Sequence, residues 1–202
     1  MSIAANQAFA RQDYAKCLQL SNLIISRAPD SKDIYFLRGC AYMQMEEYAE
    51  AAKNFDQCLK LGGKMPDYGY EYRSQCYAEV GQWQKALESI DKSIALKPLG
   101  HRYDRKGEIY VQLGKTPEAI ASFKKSLEVE PKSYWSSRKL VSCYTSANMY
   151  KEALEECNRL IKLKPDEPFS YAVRAKVYDK LGKHDLAKKD MEQANKKADF
   201  SY

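Results

Sequence analysis

Residues 100–133 read GHRYDRKGEIYVQLGKTPEAIASFKKSLEVEPKS, and the spacing inside this stretch recurs along the whole chain. Tyr103, Gly107, Tyr110, Gly114, Ala119, Phe123 and Pro131 mark it out. One column of small residues runs Cys17, Ala51, Ala86, Ala119, Ala153 and Ala187, at gaps of 34, 35, 33, 34 and 34 residues. A second runs Pro29, Gly63, Pro98, Pro131 and Pro165, at gaps of 34, 35, 33 and 34. Two columns in step at one period indicate a repeated structural element. Helix formers dominate, Gly and Pro fall mostly at the joints, and no stretch keeps a period of two. The chain therefore reads as all-α.

This pattern resembles the tetratricopeptide repeat (TPR), in which two antiparallel helices form each repeat. The resemblance implies an all-α, right-handed superhelical solenoid of about six helix-turn-helix repeats in a single domain over 1–202. The repeats fall at about 1–31, 32–66, 67–99, 100–133, 134–167 and 168–202. The first is incomplete, with a short, small-residue helix (Ala4, Ala5, Ala8, Phe9) expected to fray, followed by a helix from Tyr14 to Arg27 opened by Asp13. The second ends on Gly62-Gly63-Lys64-Met65-Pro66, which predicts a lengthened, irregular joint. Trp83 shares a column with Tyr14, Tyr48 and Tyr150 and is expected to anchor the core. Repeat five places Val141 where repeat four has a glycine. Repeat six carries Lys188, Asn195 and Lys197 where repeat four has Ile120, Leu127 and Val129. Such a polar face is expected of a last repeat, which no successor covers.

Composition narrows the function classes. The six cysteines form no C-x-x-C pair and read as buried free thiols rather than a disulfide framework. The start, MSIAANQAFARQDY, lacks a basic flank followed by an apolar run, and no stretch approaches a bilayer span, so a cytoplasmic protein is expected. Net charge is +6, and its excess lies in the second part of the chain. Residues 1–100 hold 12 Lys and Arg against 12 Asp and Glu, whereas 101–202 hold 21 against 15.

In the tetratricopeptide family the first helix of each repeat lines a concave face. The resemblance places Phe36, Leu37, Cys40, Met43, Tyr68, Tyr72 and Gln75 on that face toward the N-terminus. Toward the C-terminus it places Arg105, Trp135, Arg138, Lys139, Lys176 and Lys180, with Asp104 and Glu108 interrupting the middle. Phe36, Tyr68, Tyr72 and Trp135 lie off the columns that fill the core. A groove apolar at one end and cationic at the other suits a peptide with hydrophobic anchors and acidic residues. The expectation is a non-enzymatic adaptor that binds a segment of a partner protein. The alternative is a binder of nucleic acid or an anionic surface through the basic second part.

One branch of the family clamps the acidic tails of chaperones with Lys, Asn and Arg side chains. Only Asn6 matches that set in repeats one to three, the other four positions holding Ser2, Leu37, Tyr68 and Tyr72, so this ligand is disfavoured. A window from repeat two retains only Arg105, with His101 nearby. Nucleic acid is a weaker candidate than protein because the groove-facing residues do not repeat as a base-reading code would require. The two histidines, His101 and His184, lie in different repeats without partners at metal-ligand spacing. No phosphate loop or nucleophile elbow is present, so neither catalysis nor a cofactor is expected.

Overall fold

The computed structural model describes residues 1–198; the last residues of the sixth repeat as read above, 199–202, lie outside them. Twelve helices and no strand are found among the described residues. They pair as α1 (Ser2–Ala10) with α2 (Tyr14–Arg27), α3 (Lys32–Gln44) with α4 (Tyr48–Lys60), and α5 (Pro66–Glu79) with α6 (Trp83–Leu96). Next come α7 (Gly100–Gln112) with α8 (Thr116–Val129), α9 (Tyr134–Ser146) with α10 (Tyr150–Leu163), and α11 (Pro168–Lys180) with α12 (His184–Ala198). The chain divides into two compact halves, Met1–Pro98 and the residues from Leu99 onward. Each half holds three helix pairs.

One turn joins the two helices of every repeat. Its left-handed residue is Gln12, Glu46, Gly81, Gly114, Asn148 or Gly182, with φ between 58° and 73°. The next amide donates back to a carbonyl of the first helix's last turn, as from Lys115 to Tyr110 at 2.9 Å and from Met149 to Tyr144 at 2.9 Å. This bond satisfies a helix-end carbonyl and reverses the chain within three residues. Asp13 caps α2 by accepting from the Lys16 amide at 3.1 Å, as its sequence position predicts.

The small-residue column lies where paired helices approach. Cys17, Ala51, Ala86, Ala119 and Ala153 are fully buried, and Ala187 is nearly so. A phenylalanine 16 residues beyond Gly39 and another 16 beyond Gly107 fill the remaining gap. A Cβ on Gly39 would lie 2.9 Å from the Phe55 ring, and one on Gly107 2.7 Å from Phe123. The glycines thus admit rings whose complete burial stabilises by about 1.5–3 kcal/mol each. In the C-terminal half the apolar core gathers Ala119, Phe123, Leu127, Leu140, Tyr144 and Val177 from three successive repeats.

Arginines at one repeated position tie neighbouring repeats together. Arg38 donates to Asn54 in its own repeat (2.6 Å) and to Asn22 in the preceding one (2.7 Å). Arg73 does the same with Ser89 (3.0 Å) and Asp56 (2.8 Å). Arg174 grips Asp190 through two bonds, at 2.7 and 2.8 Å, and reaches Asn158 at 2.6 Å. A planar fork with several fixed donors is suited to such bridging.

Several local expectations need correction. α1 is a regular nine-residue helix whose Ala5 and Ala8 pack with Cys17, Leu37 and Ala41. Small side chains here allow close contact. Trp83 is only half-buried, as are Tyr14, Tyr48 and Tyr150, because this column opens the second helix, where covering residues run out. The joint at 61–65 is indeed longer than those at 28–31, 130–133 and 164–167, and Gly62 takes φ of 70° within it. In α12, Lys188 and Asn195 are exposed, but Lys197 turns back to Asp166 at 2.9 Å. Five cysteines are buried, Cys40 is half-buried, and all six are free thiols. Burial pushes the Cys40 and Cys157 thiols up to about 12, so they stay neutral and inert.

Candidate functional site

In the N-terminal half, most of the sequence-assigned face is occupied by packing. Phe36 meets Phe55 edge-on at 5.6 Å, and Tyr72 lies 5.8 Å from Phe36 and 5.7 Å from Phe55. Together with Cys40 and Met43 these rings cover the Ala51, Phe55 and Cys76 cluster. Leu37 is buried among Ala5, Ala8, Cys17 and Ala41. The expectation that Phe36 and Tyr72 have no core role is therefore corrected. Phe36 of α3 and Tyr72 of α5 meet each other and the Phe55 ring of α4, closing the gap between them. Burial also raises the Tyr72 hydroxyl above its ordinary range, with Cys40, Glu71 and Tyr68 acting in the same direction. Tyr68 is half-buried at 6.3 Å from Tyr72, and Gln75 is half-buried outside this ring cluster.

The C-terminal half carries a different arrangement. Trp135, in the first turn of α9, is 50% exposed. The Lys139 ammonium sits 4.5 Å from its ring centre, one turn further along, and also pairs with Glu108 of α7 at 2.9 Å. Arg138 stacks its guanidinium 3.8 Å over Phe169 of α11, with the Trp135 and Tyr134 rings at 5.9 and 5.8 Å. Cations over aromatic faces contribute about 0.5–1 kcal/mol when exposed and more when desolvated. Arg105 of α7 is half-buried, and its Nε lies buried without an acceptor among the described residues. Lys176 and Lys180 of α11 are exposed and stand apart from these contacts.

Asp104, expected to interrupt the groove, instead turns inward and is only 8% exposed. Its Oδ2 accepts from Ser136 of α9 at 2.9 Å, while Oδ1 has no partner among the described residues. Ser136 also lies 3.0 Å from Ser126 of α8, so a small polar cluster joins three helices. Burial raises the Asp104 carboxyl above the usual aspartate range. Hydrogen bonds from Ser136 and Ser126 partly offset this, and the Glu108 and Glu130 charges add to it.

The structure thus brings together Phe36, Tyr68 and Tyr72 in one half, and Trp135, Arg138 and Lys139 in the other. Gln75, Arg105 and Lys176 join neither cluster. Sequence reasoning missed Phe169, which follows Pro168 at the start of α11 and needed only its pairing with Arg138 to be noticed. It also missed Arg38, Arg73 and Arg174, although acceptors 16 or 17 residues away on both sides were visible. No group of three His, Cys, Asp or Glu that could hold a metal exists among the described residues. No helix among them is long and apolar enough to cross a membrane.

Comparisons with known proteins agree with this geometry. Sequence profiles described as tetratricopeptide repeat match residues 33–64, 110–177 and 170–196. No curated protein matches the sequence. Among solved structures, the C-terminal part of a TPR repeat-containing protein from Cytophaga hutchinsonii is 21% identical with a TM-score of 0.85. That match covers 96% of this chain and 77% of the other. MamA protein is 20% identical with a TM-score of 0.75, over 85% of this chain and 93% of its own. YrrB, described as a TPR protein with an unusual peptide-binding site, is 15% identical with a TM-score of 0.72, over 88% and 91%. At such identities the likeness is one of fold. Joined to the three profile matches and the twelve paired helices, it leads to one conclusion: this chain belongs to the tetratricopeptide repeat family.

Proposed function

We propose that the chain is a non-enzymatic adaptor that holds a segment of a partner protein against the outward faces of its first helices. The tetratricopeptide fold supports a protein-interaction scaffold in general, and YrrB is described as having a peptide-binding site on this fold. The observation that carries the proposal is Trp135. Its large ring keeps half its surface in water while two cations stand over it, although the chain has buried most other aromatic surface in packing. Tryptophan and arginine are the residues most often found to dominate binding at interfaces.

The contact residues in this reading are Tyr68 and Gln75 in one half, and Arg105, Trp135, Arg138, Lys139 and Lys176 in the other. Phe36, Leu37, Cys40 and Tyr72 shape the support beneath. All six repeats serve as one domain, and a cytoplasmic setting is consistent with the thiols. Pull-down mass spectrometry with wild type, Tyr68→Ala and Trp135→Ala tests the proposal, with far-ultraviolet circular dichroism to verify folding. Partners that depend on either aromatic are expected. A folded Trp135→Ala variant that captures the same partners in the same amounts would overturn the assignment.

A further inference from the structure

Resting on that reading, we infer that the C-terminal half takes one carboxylate of its partner on Arg138, with an apolar side chain of the same segment lying on Trp135. Three rings hold the Arg138 guanidinium: Phe169 at 3.8 Å, Tyr134 at 5.8 Å and Trp135 at 5.9 Å. Stacking restrains the plane of the group, whereas its donors point along the plane, toward the edge. Arg138 makes no hydrogen bond or ion pair among the described residues, so that edge has donors to offer.

The other cations nearby are differently placed. Glu108 neutralises Lys139 at 2.9 Å, Asp190 and Asn158 hold Arg174, and Glu156 pairs with Arg159 at 3.1 Å, while Lys164 is exposed with its ammonium 4.7 Å from the Tyr134 ring. Arg102 is fully buried. A guanidinium fork matches one carboxylate through two parallel bonds. An extended phosphate backbone would instead meet Glu108 and a Lys139 that is already paired, so the site favours a single anion over a polyanion. The Arg105 Nε also lacks an acceptor among the described residues, but it is buried and so is not open to a partner.

Spacing defines the segment more closely. Trp135 and Arg138 are three residues apart on α9, which puts their Cβ atoms about 5–6 Å from each other. In an extended peptide, side chains two positions apart share a side at about 6.6 Å. The expected motif is therefore an apolar residue and an Asp or Glu separated by one residue. The apolar side chain would shield the ion pair from water and so strengthen it.

Nuclear magnetic resonance on the full nitrogen-labelled chain provides the test, read at the indole N–H of Trp135, which Trp135→Phe distinguishes from that of Trp83. The probes are the capped peptide acetyl-Ser-Leu-Ser-Glu-Ser-amide, the same peptide with Gln for Glu, and a thymidine oligonucleotide. The Glu peptide should shift the Trp135 signal with at least about tenfold higher affinity than the Gln peptide, as loss of one charged pair implies. Arg138→Gln should abolish that preference, and Lys188→Gln, on the exposed face of α12, should keep it. Equal binding of the two peptides, no Trp135 shift, or a preference surviving in Arg138→Gln would each overturn the inference. So would tighter binding of the oligonucleotide. Partner capture that depends on Trp135 but ignores the acid-to-amide change would remove this inference alone and leave the adaptor reading intact.

Discussion

In repeat four a glycine of α7, Gly107, faces Phe123 of α8, whereas in repeat five the same two positions hold Val141 and Cys157. All four of these residues are buried, so both gaps are filled. Repeat four places nearly all the volume on the second helix, and repeat five shares it between the two. Polar features divide just as sharply. The position of Asp104, buried against serines in repeat four, is held in repeat five by Arg138, which lies over the Phe169 ring. The lesson is that a repeat conserves the space between its helices rather than the residues that fill it.

The largest expected effect tests that division directly. Phe123→Ala should cost about 3–5 kcal/mol, since it empties a fully buried ring site. Cys157→Ala, which removes one sulfur from the equivalent site, should cost about 1 kcal/mol. Urea unfolding of the two variants measures both, and equal losses would contradict this division of volume between the helices.

Next comes Gly107→Val, which imitates repeat five while leaving the Phe123 ring in place. A Cβ there would approach Phe123 to 2.7 Å, so a loss at the upper end of the overpacking range, about 3 kcal/mol, is expected. Adding Phe123→Cys should recover part of it, because the pair then matches Val141 and Cys157. If the double variant lost the sum of both single effects, the two positions would not be coupled.

A smaller difference should appear at the turns. Gly114 in repeat four and Asn148 in repeat five both take left-handed backbone, with φ of 69° and 58°. Gly114→Ala should cost about 1 kcal/mol, whereas Asn148→Gly should change stability by only a few tenths, because asparagine tolerates this region. Thermal melts that ranked the two changes the other way would contradict the shared turn geometry.

The subtlest test concerns pH. Burial holds the Asp104 carboxyl above the ordinary aspartate range, so the folded chain binds that proton more tightly than the unfolded chain does. Its contribution to stability is complete below the unfolded value and is lost as pH rises through the folded value. Asp104→Asn should therefore gain on wild type as the solution goes from acid to neutral, with the gain centred on this one repeat. A difference between the two proteins that stayed constant with pH would rule out Asp104 as its source.

Much of this was legible in the sequence. The helix pairs, their order and their joints follow from the two columns, since a period of 34 residues with small residues in register admits few other structures. The buried thiols and the long joint after Lys60 were readable for the same reason, being departures from a known column. The site was less legible. Phe36 and Tyr72 looked available because they lie off the core columns of their own repeats, yet rings from successive repeats close over one another. Asp104 looked like a groove residue until the serines of α8 and α9 came within reach.

By itself, the sequence determined the all-α repeat and the turn at every helix pair, because periodicity, small residues and left-handed positions act within about one repeat of the chain. Only the tertiary structure decided which aromatics were used in packing, which cations were already paired, and that Phe169 lies under Arg138. Those outcomes depend on where side chains from different repeats point. A period along the chain specifies the column a residue occupies, but not which neighbour its side chain reaches first.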